Sequence, residues 1–405
     1  MKKVVLCGKL FTAENNDVQT NMAVVVEDNL ITAVVPASEA DTDGAEVIDL
    51  SDRFVMPGLI DGHMHCTSNG DTREIPGYYP TSAEATLNGV VNLKKDLLAG
   101  FTTVRDEGCN DFEDVALKKA INAGKIDGPR MITSGKCLTA TGGHADSRYP
   151  YYLEPGQHES LVCDSPDAAR KAARMVFKYG ADQIKLMGTG GVMSMGDEPG
   201  APEFTYEEMK AALDVANSRG RMSSVHAHGA EGMKIAIRAG IHSIEHGMLM
   251  DDEAIEMMAE HQTFLIPTIV AAKAIVENGV ASGIHPENVE KAARCVANHY
   301  ENLKKCLEKG VPICFGTDAG TPGNYHGTQT REFGFMQEAG LPTAYILQAA
   351  TSRNARLLRM DDMIGTVEKG KLADLVAVPE DPFENIKTME NVCFVMKDGK
   401  VYKNS

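Results

Sequence analysis

The chain is short of positive charge: 40 Lys and Arg stand against 57 Asp and Glu, a formal net charge of −17. A surface of that sign repels phosphate backbones and anionic bilayers, so neither nucleic acid nor a membrane is expected as a partner. No apolar run approaches the roughly 20 residues that a membrane-spanning helix needs. The opening Met1-Lys-Lys-Val-Val-Leu-Cys-Gly is too short an apolar stretch for a secretory signal, and a cytoplasmic location is expected. Nine cysteines, odd in number, irregular in spacing and without a CxxC pair, do not form a disulfide framework. Free thiols fit a reducing compartment. Fixed-period repeats and low-complexity segments are also missing.

What is present is ordinary globular material: 405 residues, 43% hydrophobic and 24% charged. Residues 1–56 read as short strands separated by turns, at Lys3–Leu6, Met22–Glu27 and Ile31–Val35. The same style returns from residue 361, with strands at Leu375–Val378 and Val392–Lys397 and a hairpin signal in Lys397-Asp-Gly-Lys. Between them, strands and helices alternate. Strand candidates are Val55–Ile60, Thr102–Arg105, Arg130–Ser134, Gln183–Met187, Ser223–His226, Ser243–Glu245, Thr263–Ile269 and Pro312–Gly316. Helix candidates include Ala83–Leu98, Asp167–Tyr179, Tyr206–Ser218, Gly232–Ala239, Ala254–His261 and one long helix, Pro286–Glu308. Eight such units predict an α/β fold, a (β/α)8 barrel over 57–360. The terminal segments, 1–56 and 361–405, are each too short for a stable domain and are expected to pack together as a small β-sandwich.

The polar residues at the ends of these strands carry the chemistry. His63 and His65 stand one residue apart in Pro57-Gly-Leu-Ile-Asp-Gly-His-Met-His, and in a strand both rings share a face and can reach one metal ion. Lys185 lies in the strand that runs into Gly188-Thr-Gly-Gly. His226 sits in Ser223-Ser-Val-His-Ala-His-Gly, His246 in Ser243-Ile-Glu-His-Gly and Asp318 in Gly316-Thr-Asp-Ala-Gly. All fall where alternating barrels place their catalytic groups. For Lys185 a buried pairing with an acid is the plain alternative, and for Asp318 an Asx turn.

This order of HxH, Lys, His, His, Asp resembles the amidohydrolase superfamily over nearly the whole chain. The resemblance implies a barrel with a small β-domain, and two divalent metal ions. One ion would be held by His63, His65 and Asp318 and the other by His226 and His246, bridged by Lys185 carboxylated with carbon dioxide. It further implies a hydroxide shared by the two metals that attacks an amide, with Asp318 shuttling its proton. Zinc is the default for imidazole and carboxylate ligands, though manganese or cobalt suit the same set. Thr-Gly-Gly-His, Ile-Lys-Leu-Met-Gly-Thr-Gly-Gly, His-Ala-His-Gly and Ile-Glu-His-Gly look most like the prolidase-like dipeptidases, related to imidazolonepropionases, whose substrates end in proline, lysine or arginine. A small-molecule substrate, a dipeptide or N-acyl amino acid, and a homo-oligomeric enzyme are expected. Where some of that group place a tyrosine, this chain has His228.

Other residues are secondary candidates. His144, ending Thr139-Ala-Thr-Gly-Gly-His, is expected to hydrogen-bond the substrate carbonyl or developing oxyanion, and His228, two residues beyond His226, to face the same mouth as a catalytic group; a loop histidine bonded to backbone is the plain alternative for each. Glu245 and His242 are expected to support the ligands, whereas Cys66 points away from the two histidines. Arg73 and Arg148 are candidates to hold a substrate carboxylate, and Asp197 and Glu198 to meet a basic side chain. The loops 144–160 and 188–205 are candidate lids. A cyclic-amide hydrolase, of imidazolonepropionase or hydantoinase type, would use the same metals. A deaminase carries a glutamate soon after the third histidine, but Ala227, His228 and Gly229 follow His226 here.

Overall fold

The computed structural model describes residues 2–72, 80–146 and 160–405. Arg73 and Arg148, and most of the 144–160 loop, lie outside the described residues. Four strands open the chain: β1 (Lys2–Phe11), β2 (Val18–Glu27), β3 (Leu30–Pro36) and β4 (Glu46–Pro57). The central region carries β5 (Leu59–Met64), β6 (Phe101–Asp106), β7 (Arg130–Ile132), β8 (Leu138–Thr139) and β9 (Leu161–Val162). It continues with β10 (Gln183–Met187), β11 (Met222–Gly229), β12 (Ser243–Leu249) and β13 (Phe264–Ile266). The chain ends in β14 (Leu375–Val378), β15 (Phe394–Lys397) and β16 (Lys400–Asn404).

Strands from both ends share one seven-stranded sheet, ordered β16-β15-β14-β4-β1-β2-β3. Where two packed sheets were expected, one hydrogen-bonded sheet forms because β4 serves both halves. It runs parallel to β1 as far as Val55 and antiparallel to β14 from Phe54 to Pro57. Val5, Leu10, Val24, Ile31, Val55, Leu375 and Phe394 bury against one another in its core. The predicted hairpin is present: Asp398 and Gly399 both take positive φ, as a two-residue type I′ turn requires.

The chain leaves this sheet at Gly58. A Cβ there would come within 2.2 Å of Thr102 Oγ1, so only glycine permits the approach. The predicted strand Val55–Ile60 therefore divides into the end of β4 and the start of β5. The central region is α/β, with a three-stranded parallel sheet β5-β6-β7 and a six-stranded sheet β13-β12-β11-β10-β8-β9. Asp182 and Gln183 donate to Thr133 O, linking β7 to β10. Parallel strands covered on both faces are normally apolar throughout. Here β5, β6, β10 and β11 are buried at every position yet carry Asp61, His63, Arg105, Lys185 and His226.

Three expectations need correction. The eighth strand, Pro312–Gly316, is an irregular segment that makes one bridge, Leu265 to Ile313, and then changes neighbour. Cys314 donates to Leu265 O, whereas Gly62 donates to Phe315 O and His65 to Ala319 O. Serving both sides, it keeps no regular ladder to either. The strand Thr263–Ile269 stops at Ile266, because Pro267 lacks an N–H and Thr268 turns to a φ of 44° before a helix over Ile269–Asn278. The long helix divides into Pro286–Val296 and His299–Lys309, since Asn298 at φ −115°, ψ 6° leaves helical geometry.

Candidate metal and substrate site

His63, His65, Lys185, His226, His246 and Asp318 line one cavity of about 110 Å³ together with His144 and His228. The structure thus brings all eight sequence-derived candidates to one place. Ring centroids of His63 and His65 are 5.5 Å apart, those of His63 and His246 5.0 Å, and those of His226 and His246 4.7 Å. Irregular backbone aims these groups. The ladder between β11 and β12 shifts register between Ala227 and Gly229, which re-aims side chains at a strand end. His246, Thr268 and Asp318 take positive φ of 72°, 44° and 58°. Conformations of this kind cost about 1–3 kcal/mol each and collect at functional sites.

Three of the ligand candidates are fixed from behind. His63 Nδ1 lies 2.7 Å from Glu245 Oε2, His65 Nδ1 3.0 Å from Gly108 O, and His246 Nδ1 2.7 Å from Thr268 Oγ1. With Nδ1 engaged, Nε2 is the nitrogen left to face the cavity. His63 Nε2 and His65 Nε2 approach Asp318 Oδ1 to 3.4 and 3.2 Å. That oxygen is buried and finds no hydrogen-bond geometry with either. Donor atoms of His63, His246 and Asp318 all lie within 4.8 Å of one another.

The electrostatics suit a cation. Burial, reinforced by neighbouring imidazoles, pushes the pKa values of His226 and His246 well below the usual histidine value, so both rings are neutral electron-pair donors. Burial alone would raise Asp318, but the imidazoles of His63 and His65 hold it well below the carboxylate range. Against the same burial, the Asp318 carboxylate pushes His65 up to about 9. The neutral imidazoles of His226 and His246 and the ionised, hydrogen-bond-free Asp318 oxygen make a fitting donor set for divalent metal, and His65 would release its proton on joining them.

Beneath the cluster lies a polar floor that sequence reasoning missed, apart from Glu245. Arg105, fully buried, bridges Glu107 at 2.8 Å and Glu245 at 2.8 Å, and donates to Gly62 O. Glu107 accepts from Ser224 and Gln183 and pairs with Lys185 Nζ at 3.2 Å. Burial would raise Glu107, yet Arg105 and Lys185 bring it down to about 2. Lys185 is thus paired with an acid as it stands. The only cue in the sequence was the run Arg105-Asp-Glu107 at a strand end.

On the other side, the strap 188–204 crosses the cavity. His144 Nδ1 is 2.7 Å from Ser194 Oγ, and the ring stacks on His226 at 4.3 Å. A Cβ on Gly191 would strike that ring at 2.1 Å. Ser194 and Gly191 both donate to Asp197 Oδ2. Asp197 and Glu198, candidates for a basic substrate group, are instead occupied by the protein's own cations: Lys291 reaches Asp197 at 3.1 Å and Arg294 reaches Glu198 at 3.0 Å. His228 stacks on His246 and leaves Nδ1 buried without a partner. His242 bonds Leu357 O away from the cavity, and buried Cys66 receives no role there.

The comparisons with known proteins agree with this geometry. The amidohydrolase family model matches residues 54–402. The chain is 30% identical to ochratoxinase from Aspergillus niger over 433 aligned positions, covering 99% of this chain and 86% of that protein. It is 25% identical to imidazolonepropionase from Nocardia farcinica, over 88% of this chain and 84% of that one. Among solved structures it is similar to a Xaa-Pro dipeptidase with methionine bound in its active site, at 38% identity and a TM-score of 0.92 over the full length of both. A prolidase complexed with N-methylphosphonate-L-proline matches at 31% identity and a TM-score of 0.93, again over the full length of both. The chain belongs to the amidohydrolase family and is a hydrolase acting on amide bonds.

Proposed function

We propose that the protein is a binuclear metal-dependent hydrolase of dipeptides or N-acyl amino acids, built on a closed (β/α)8 barrel. The carrying observation is the convergence on one cavity of four histidines and Lys185 from four strands and of Asp318 from the irregular segment after residue 312. The likeness to a Xaa-Pro dipeptidase and a prolidase supports the choice of substrate. For the barrel, the support is the bonding of segment 312–319 to Leu265 on one side and to Gly62 and His65 on the other. His63, His65 and Asp318 would hold one ion and His226 and His246 the other, with zinc the default for these ligands. Such ions, when bound, polarise a carbonyl and bring the ionisation of water close to neutral pH.

The chain's own residues do the rest. Asp318 Oδ1, unbonded and ionised, accepts the proton of the attacking water and returns it to the leaving nitrogen. His144 Nδ1 donates to Ser194 Oγ, whose own hydrogen goes to Asp197, so the neutral ring turns Nε2 to the substrate as an acceptor, and His228 offers its unpartnered Nδ1 nearby. Lys185, whose Nζ lies 3.2 Å from Glu107, would take up carbon dioxide with loss of a proton, and the carbamate so formed would offer such ions further oxygen ligands. None of the nine cysteines forms a disulfide, which supports a reducing, cytoplasmic setting.

The test is release of amino acid from a dipeptide and N-acyl amino acid library by metal-loaded protein. Turnover confined to a few substrates would support the reading. Silence with two metals bound would move it to cyclic amides, the chemistry of the imidazolonepropionase relative. A carbamate carbon signal from labelled bicarbonate, lost in Lys185→Ala, tests the bridge.

A further inference from the structure

The cavity has two unlike walls. One carries the histidine cluster. The other is formed by Met187, Val192, Met193, Met248, Ala272 and Ile275. Val192, Met248, Ala272 and Ile275 belong to one hydrophobic cluster with Ile284, Ala292 and Cys295, and Met193 packs against it, so the wall is backed by solid core. Among the described residues lining the cavity, the charged side chains are Lys185, Asp318 and, paired with Asp318, His65, and all three belong to the cluster. Acids that could reach in from the strap are already paired: Asp197 with Lys291, itself 1% exposed, and Glu198 with Arg294. A charged substrate group placed against this wall would lose its water and meet no counter-charge among the described residues that form it.

We propose that the group flanking the scissile amide is uncharged and apolar, an aliphatic or thioether side chain held by Val192, Met193, Met248 and Ile275. This rests on amide hydrolysis at the histidine cluster and narrows it, excluding the lysine and arginine substrates that related dipeptidases suggest. Two methionines suit such a task, since an unbranched thioether adapts to different apolar shapes. Preference among apolar groups should therefore be broad, and discrimination against charge sharp.

The experiment pairs norleucine with lysine, and methionine with glutamate, in Ala-Xaa, Xaa-Ala and N-acetyl-Xaa series. Metal-loaded protein is assayed for kcat/KM and titrated calorimetrically with the same compounds. One methylene in an apolar pocket is worth about 10- to 200-fold, and a desolvated charge more. Norleucine should exceed lysine by at least about tenfold in the series that is cleaved. Ile275→Glu should reverse that ratio, and Met193→Ala should weaken it. Lysine or glutamate compounds that match or exceed their apolar partners would overturn the proposal, whether or not the variants fold. If no compound is cleaved, calorimetry decides. Selective binding of the apolar members would keep the apolar wall and remove the hydrolytic reading, whereas equal binding of charged members would sink the wall itself.

Discussion

The terminal sheet and the polar floor beneath the histidines are equally buried and held together by opposite means. In the sheet, Val5, Leu10, Val24 and Phe394 exclude water with side chains that have no directional demands. Any well-fitting apolar residue would serve there. In the floor, Arg105, Glu107, Glu245, Ser224 and Gln183 are satisfied one partner at a time, and removing one leaves a buried charge alone. The sheet contributes stability by area; the floor converts stability into the fixed orientation of His63 and Lys185.

That contrast can be broken or sharpened by substitution. Asp318→Asn keeps the size of the side chain and removes its charge at the cavity. Turnover should fall by about 10²- to 10⁴-fold while the melting temperature changes little; turnover near wild type would remove Asp318 as the proton carrier. Arg105→Met removes the guanidinium that Glu107 and Glu245 share, leaving two buried carboxylates with Lys185 as the remaining lysine or arginine partner. A loss of about 3–5 kcal/mol in denaturant unfolding is expected, accompanied by lowered activity. Leu10→Ala opens a cavity in the sheet and should cost about 2–5 kcal/mol with kcat/KM unchanged. An equal loss of activity would mean that the two regions are not separable.

The smallest expected effect concerns pH. Glu332 accepts from Ile269 and Val270 at the start of the helix that carries Ile275, and burial pushes its pKa up to about 8. The folded state thus binds this proton more tightly than the unfolded chain, whose glutamate titrates near 4.5. Its contribution is full below about 4.5 and is lost as pH rises towards 8. Glu332→Gln should flatten the fall in melting temperature between pH 5 and 8; an unchanged slope would discard the assignment.

Much of the site was legible because its residues obey local rules. His63 and His65 two apart in a strand, and Lys185, His226, His246 and Asp318 beside glycine-rich loops, needed only strand periodicity and the habit of chemistry to sit at strand ends. Glu245 was legible as a support for the same reason, one residue before His246. The floor was not. Arg105 meets Glu245 across 140 residues of sequence, and nothing local distinguishes it from a solvated arginine. Asp197 and Glu198 looked available because Lys291 and Arg294 stand more than 90 residues away. Pro312–Gly316 has the composition of a strand, and only its two competing neighbours deny it a regular ladder.

By itself, then, the sequence determined the alternation of strands and helices, the hairpin at Asp398-Gly399 and which histidines, lysine and aspartate line the cavity. Each depends on contacts within a few residues: side-chain period, backbone φ and the chemical identity of a ligand. The tertiary structure decided which charges are spent on one another, which wall of the cavity is apolar, and that β4 joins the two ends of the chain in one sheet. Those outcomes turn on pairings between residues far apart in sequence, whose energies depend on burial and distance that exist only once the chain has closed on itself.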